Sequence, residues 1–420
     1  NVQSIMLNHL TETLNLEKDK QFIEQIGKAF KQYIAKIIDA EDFSRMAHLV
    51  KHCKKFLNHA DLLTDSVLAA TWGELGDIYI YQANYEEAKQ AFEKSLEIHK
   101  KTPSEEPYWL ARTLEGLGNV YSEIGYNEKA KHLLAQSLAI YKKNGYENHT
   151  WYARALAWLG CVYRELGEHE KAKHLIEESL EIYKKSSFEN HAWYARALGD
   201  LGGVYRELGN YDKAQQLLEK SLEIYKSNKY EDHPWYARAC AWLGCVHRDK
   251  GNYEQSKQYL EKSMEIYKKV SFEQRPWAAR TLAWLGCVYR GLGDYEKAKQ
   301  SLEKSLEVYK KNAYENHPWL ARALGWLGGV ERELGNYGKA KQCIESSLEI
   351  YRKNGYENHP WFAWTAAKLG NIYRTLGNYK EAEKHLTESV EIYKKNTFEN
   401  HPWFAWSLSK LGCTYREQGN

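Results

Sequence analysis

Apolar and polar residues follow one another along most of this chain with the 3.6-residue rhythm of amphipathic helices. In the segment Trp151–Leu166 the residues Leu156, Leu159, Val162 and Tyr163 share one face, which predicts a helix with one buried side. Gly167 ends it, with Glu168-His169 in the turn; the equivalent turns read Gly209-Asn210 and Gly335-Asn336, as helix ends should. A second helix is predicted from about Glu170 to Lys185, its buried face formed by Ala172, Leu175, Ile176, Ser179, Leu180 and Tyr183. Asn190-His191 then leads into the next helix. In later copies Pro234, Pro276, Pro318, Pro360 and Pro402 occupy that helix's opening, where a missing N–H has no partner to lose.

The whole pattern returns every 42 residues. A tryptophan marks it at Trp109, Trp151, Trp193, Trp235, Trp277, Trp319, Trp361 and Trp403, and a glycine at Gly76, Gly118, Gly160, Gly202, Gly244, Gly286, Gly328, Gly370 and Gly412. A fixed period of this size predicts a stacked array of antiparallel helix pairs, an all-α solenoid in which each unit buries its face against its neighbours. The repeat glycine lies mid-helix, where it costs about 1 kcal/mol against alanine. Its recurrence implies close approach of the paired helices, with the small residues Ala172 and Ser179 opposite.

The array is expected to span residues 67–420, as eight complete repeats and the first helix of a ninth. Residues 1–66 break the period. Helices are predicted there at about 2–14, 18–38 and 43–59, the second apolar at Phe22, Ile26, Phe30, Ile34 and Ile37, the third at Phe43, Met46, Val50 and Leu57. Such a segment would cap the apolar flank of the first repeat. With Asn1 in place of a Met, and Asn420 in the turn after an unpaired helix, the chain reads as a piece of a longer protein.

Composition narrows the partners. The 59 basic and 56 acidic residues leave a net charge of +3, no global field for nucleic acid or membrane. Apolar content of 43% is that of a folded chain, and no apolar run approaches the roughly 20 residues of a membrane span. Of the seven cysteines, Cys161, Cys245, Cys287 and Cys413 each follow the repeat glycine, where other units carry Gly203 or Gly329. They read as small packing residues in a reducing compartment, with neither disulfides nor a zinc site expected, which points to the cytosol. The series His149, His191, His233, His317, His359 and His401 precedes the helix openings, with Arg275 replacing one. Its members stand a repeat apart, so capping is expected rather than metal binding. No phosphate loop, catalytic triad or metalloprotease motif occurs, so neither catalysis nor a cofactor is expected.

Trp72-x2-Leu75-Gly76-x2-Tyr79 followed by Ala88-x3-Phe92 resembles the tetratricopeptide repeat (TPR) pattern. Later units mostly keep Leu-Gly-x2-Tyr and the Ala, though His247 and Glu331 replace the Tyr; Leu156, Leu198, Cys240 and Leu282 stand at the place of Trp72. The longer unit, with Asn-His-Pro before its helix, is similar to the 42-residue variant of kinesin light chains and of STAND (NLR-like) sensor NTPases. The resemblance implies a right-handed TPR-like superhelix with an N-terminal helical cap, whose first helices line a concave groove for a protein or peptide partner. It further implies the sensor arm of a STAND-type NTPase, with the NTPase module in the same full-length chain. A kinesin-light-chain-type cargo adaptor and a self-assembling structural repeat are the alternatives. The carboxylate clamp of chaperone-tail-binding TPRs needs Lys and Asn where Ala157 and Cys161 stand, and only Asn119 and Asn371 supply the amide, so that ligand is not expected.

Opposite the core face of the first helices, three rows run along the array. One is Arg112, Arg154, Arg196, Arg238, Arg280 and Arg322, switching to Trp364 and Trp406. The second is Arg164, Arg206, Arg248, Arg290, Arg332, Arg374 and Arg416, and the third is Gly116, Trp158, Asp200, Trp242, Trp284, Trp326, Lys368 and Lys410. Trp and Arg are the residues of interface hot spots, which makes Trp158, Trp242, Trp284 and Trp326 and the two arginine rows candidates for partner contact. Acids follow several of these arginines, as in Arg164-Glu165, Arg206-Glu207 and Arg332-Glu333, so internal ion-pair ladders are the other reading. Interleaved Glu argues against nucleic acid. The 42-residue tryptophan itself is expected to pack between repeats.

Overall fold

The computed structural model describes residues 25–30, 32–34, 36–37, 43–102, 107–312, 314–396, 399 and 402–419. Regular structure among them is helical. After helical residues 25–30 come α1 (Phe43–Leu57), α2 (Asp65–Tyr81), α3 (Tyr85–Lys101), α4 (Pro107–Glu123) and α5 (Asn127–Lys143). Then follow α6 (Thr150–Glu165), α7 (His169–Lys185), α8 (Ala192–Glu207), α9 (Tyr211–Ser227), α10 (Pro234–Asp249) and α11 (Tyr253–Lys269). The series ends with α12 (Pro276–Gly291), α13 (Tyr295–Lys311), α14 (Pro318–Glu333), α15 (Tyr337–Lys353), α16 (Pro360–Thr375), α17 (Tyr379–Lys395) and α18 (Pro402–Gln418). From α2 onward these are the expected antiparallel pairs, with α18 the unpaired first helix of the last unit. The fold is an all-α solenoid.

Contacts gather the helices into two compact units, α1–α5 and α6–α18. α1 packs on α2, the first helix of the first repeat, and buries Met46, Leu49, Cys53 and Phe56. The helix expected at 2–14 lies outside the described residues, and that at 18–38 is described only in part.

Close helix approach explains the repeat glycine. A Cβ at Gly202 would stand 2.7 Å from Leu218 Cγ and 3.2 Å from the Ala214 carbonyl; at Gly160 it would stand 2.5 Å from Ile176 Cγ1. The opposing serine uses the same proximity in several units, although Ser179 and Ser263 are buried without a hydrogen bond. Ser221 Oγ donates to the Ala195 carbonyl at 2.6 Å, Ser305 to Ala279 at 2.7 Å and Ser347 to Ala321 at 2.6 Å. A hydroxyl buried between helices is thereby satisfied while the backbones stay close.

The histidines are caps. Nδ1 of His149, His191, His233, His317 and His359 accepts the N–H of the following Trp at 2.9–3.2 Å, whereas Arg275 makes no side-chain cap bond. An accepting Nδ1 needs the neutral ring. Burial, then the nearby Arg196 and Arg322 respectively, pull the pKa of His233 and His359 down to about 3. Unfolding restores a value near 6.5, so stability present above pH 6.5 drains as the pH falls toward 3. Between pH 7.5 and pH 5 each of these two histidines should cost about 2 kcal/mol. Urea unfolding at both pH values tests this: His359→Asn, a cap that does not titrate, should lose less stability on acidification than the parent.

Candidate ligand-binding site

Within the unit α6–α18 the three rows lie on the first helices, and they face one another. Arg154, Arg196, Arg280 and Arg322 of the first row each slot between successive repeat tryptophans. Arg154 Cζ stands 3.7 Å from the Trp151 ring centroid and 5.0 Å from that of Trp193. Arg280 lies 4.3 and 4.7 Å from Trp277 and Trp319, and Arg322 lies 4.2 and 4.3 Å from Trp319 and Trp361. Arg196 adds a contact of 3.3 Å with Trp158 of the preceding repeat, and Arg238 lies 3.9 Å from Trp277. The 42-residue tryptophans therefore pack between repeats, in a ladder of alternating indoles and guanidiniums.

The second row forms ion pairs. Arg164 meets Glu165 at 2.9 Å, Arg206 meets Asp249 at 2.6 Å and Glu207 at 2.8 Å, and Arg248 meets Asp249 at 2.7 Å. Further along, Arg290 and Arg332 share Glu333 at 3.2 and 2.5 Å, and Arg374 pairs with Glu417 at 2.5 Å. Asp200, at the third-row position, takes Arg238, with Arg196 at 3.7 Å.

The candidate tryptophans lie inside. Trp158, Trp242, Trp284 and Trp326 retain 6%, 1%, 1% and 6% of their exposure. Trp242 and Trp284 touch with centroids 5.0 Å apart, and Arg164 lies 4.7 Å from Trp242. Voids between Arg154, Trp158 and Arg196, and between Arg196, Trp235 and Trp242, hold about 10 Å³ each, at most one water. Along this stretch the expected groove is filled by its own lining, because the first-helix row winds tightly enough to meet itself. At that contact the Glu165 carboxylate, at the end of α6, takes Trp319 Nε1–H at 2.9 Å and Arg280 at 3.4 Å, while His359 Nε2 lies 3.1 Å from the Glu165 carbonyl. These partners stand three to five repeats further along. Burial pushes the Glu165 pKa up, but Arg280, Arg164 and Arg322 overcome it and hold the carboxyl well below the usual range.

Near the C-terminal end the ladder reverses. Trp364 and Trp406 stand where earlier units have arginine, and Lys368 stands where they have Trp158, Trp242, Trp284 or Trp326. The cation–aromatic contact survives with its partners exchanged: Lys368 Nζ lies 4.6 Å from the Trp406 centroid and 5.1 Å from that of Trp364. Trp364 packs on Trp361 and Trp403 at 5.5 and 6.1 Å. Here a cavity of about 590 Å³ opens, lined by Trp326, Trp361, Trp364, Trp403 and Trp406 and by Arg248, Arg290 and Lys368, with Asp249 and Glu333 beside the arginines. Its size suits a small ligand or a few side chains. Of the expected site residues, the structure brings Trp326, Arg248 and Arg290 to this cavity. Trp364, Trp406 and Lys368 were not among them; the break in the otherwise regular rows was the sequence signal for all three.

All seven cysteines are free; burial raises the Cys161 and Cys245 thiols to about 12, which makes them inert packing groups at neutral pH. Among the described residues no cluster could hold a metal ion and no helix is long and apolar enough to cross a membrane.

No curated protein matches the chain. Among solved structures, the fold is similar to a Rap protein complexed with competence and sporulation factor, at 14% identity over 94% of this chain and 98% of that one, TM-score 0.63. It is similar to NprR in complex with its cognate peptide NprX (16%, 87% and 99%, TM-score 0.62) and to the apo form of the quorum sensor NprR from B. thuringiensis (16%, 88% and 99%, TM-score 0.57). At these identities the likeness is one of fold. The tetratricopeptide repeat profile matches residues 67–143, 151–227, 232–311, 319–395 and 368–420, and with more than half its length so matched the chain belongs to the tetratricopeptide repeat family.

Proposed function

We propose that the chain is a protein-interaction solenoid that holds a peptide segment of its partner in the cavity at the ladder reversal. The observation that carries this is the cavity itself, about 590 Å³ lined by five tryptophans and three cations, the residue types of binding hot spots. The solved NprR structure with its cognate peptide NprX supports the same role for a similar fold. Partner contact is assigned to Trp326, Arg248 and Arg290 of the expected rows, together with Trp364, Trp406 and Lys368. Of the other row members, Trp158, Trp242, Trp284 and the first-row arginines Arg154, Arg196, Arg238, Arg280 and Arg322 are buried and support the cavity rather than touch the partner.

An array of ten-residue peptides, N-acetylated and C-amidated, tests this. The parent protein should retain a subset, and Trp406→Ala should weaken those at least about tenfold, the loss of one hot-spot aromatic. Undiminished binding by a folded variant rules the cavity out. The wider setting we propose is the ligand-sensing arm of a STAND-type NTPase, in which partner binding frees the NTPase module. It rests on the 42-residue unit with Asn-His-Pro, and a full-length sequence without a P-loop would remove it in favour of a cargo adaptor.

A further inference from the structure

The charges around the cavity do not balance. Asp249 is shared by Arg206 and Arg248, Glu207 pairs with Arg206, and Glu333 is shared by Arg290 and Arg332, so four guanidiniums face three carboxylates. Lys368 adds a fifth cation and, among the described residues, has no carboxylate or hydrogen-bond partner; it touches only the faces of Trp364 and Trp406. In the units of Trp242 and Trp284 an indole fills this position and is itself 1% exposed. The exchange of Trp for Lys thus coincides with the cavity and leaves a cation aimed into it without a counter-charge.

We propose that Lys368 is the anchor for a carboxylate of the bound peptide, an acidic side chain or a free C-terminus. The proposal rests on the peptide-binding reading above. An apolar wall of tryptophans around one unneutralised cation favours a group that is anionic and small, since a buried ion gains most from a direct partner. The groups facing Lys368 agree. Burial, then Arg290 and Arg332, lower its pKa to about 7, against the opposing pull of Glu333 and Cys287; Arg248 and Asp249 pair on α10, and Lys410 on α18 adds only positive charge. An incoming carboxylate restores the charged form, so binding strengthens as the medium supplies the proton.

Matched array peptides, with Glu or Gln at each position and with free or amidated C-termini, are titrated by calorimetry at pH 6 and pH 8. The carboxylate forms should bind at least about tenfold tighter than their amides. With a pKa of about 7 the affinity should be about tenfold higher at pH 6 than at pH 8. Lys368→Gln should erase both differences, Lys368→Arg should keep the carboxylate preference and lose the pH dependence, and Lys410→Gln should change neither. Peptides retained by the parent with equal affinity for acid and amide overturn the anchor and leave the cavity reading standing. Retention of no peptide overturns the cavity reading, and the anchor with it. Adenosine monophosphate bound more tightly than any acidic peptide would replace the peptide carboxylate by a phosphate.

Discussion

Glu165→Ala is expected to destabilise the α6–α18 unit by about 3–5 kcal/mol, the usual consequence of removing one partner from a buried charge cluster. The carboxylate accepts the Trp319 indole N–H at 2.9 Å and stands 2.9 and 3.4 Å from the Arg164 and Arg280 guanidiniums, and all four side chains are buried. Without it, two guanidiniums and an indole N–H lose their acceptor in a site that water does not reach. Glu165→Gln retains an acceptor for Trp319 and should fall between the parent and Ala. Glu333→Ala, which removes half-exposed pairs with Arg290 and Arg332, should change stability by no more than about 1 kcal/mol. Long repeat arrays need not unfold in one step, so hydrogen exchange across α12 and α14 should accompany urea titration. If Glu165→Ala leaves protection of Trp319 and Arg280 unchanged, the contact between distant repeats does not hold the array together.

Trp284→Ala should cost about 3–5 kcal/mol, whereas Trp406→Ala should cost far less and instead weaken peptide binding at least about tenfold. The two differ in surroundings rather than in kind. Trp284 is 1% exposed and wedged between Trp242 at 5.0 Å and Trp319 at 5.2 Å, so truncation opens a void that its neighbours cannot fill. Trp406 is partly exposed and borders a cavity that already exists. Thermal unfolding and peptide titration of both variants separate the roles. A Trp284→Ala protein as stable as its parent would mean that the interior row is not packed as described.

Local rules account for what could be read early. The helix pairs, their turns at Gly167, Gly209 and Gly335, the histidine caps and the close approach at Gly160 and Gly202 all depend on residues within one 42-residue unit, or on one unit touching the next. Each unit repeats the same local problem, and the period states the solution nine times. The arginine rows were legible as rows, and the acids beside Arg164, Arg206 and Arg332 already hinted at ion pairs.

Whether those rows would bound an open groove was not a local question. It depends on the small rotation between successive units, accumulated until Glu165 reaches Arg280, Trp319 and His359. No single repeat encodes that angle; it follows from how every side chain between helices packs. The sequence by itself determined the helix pairs, their stacking and the point near Trp364 and Lys368 where aromatic and cation change places. Only the tertiary structure decided that Trp158, Trp242 and Trp284 are interior and that the exchange opens a cavity, because the meeting of residues more than a hundred positions apart is set by accumulated packing geometry rather than by local preference.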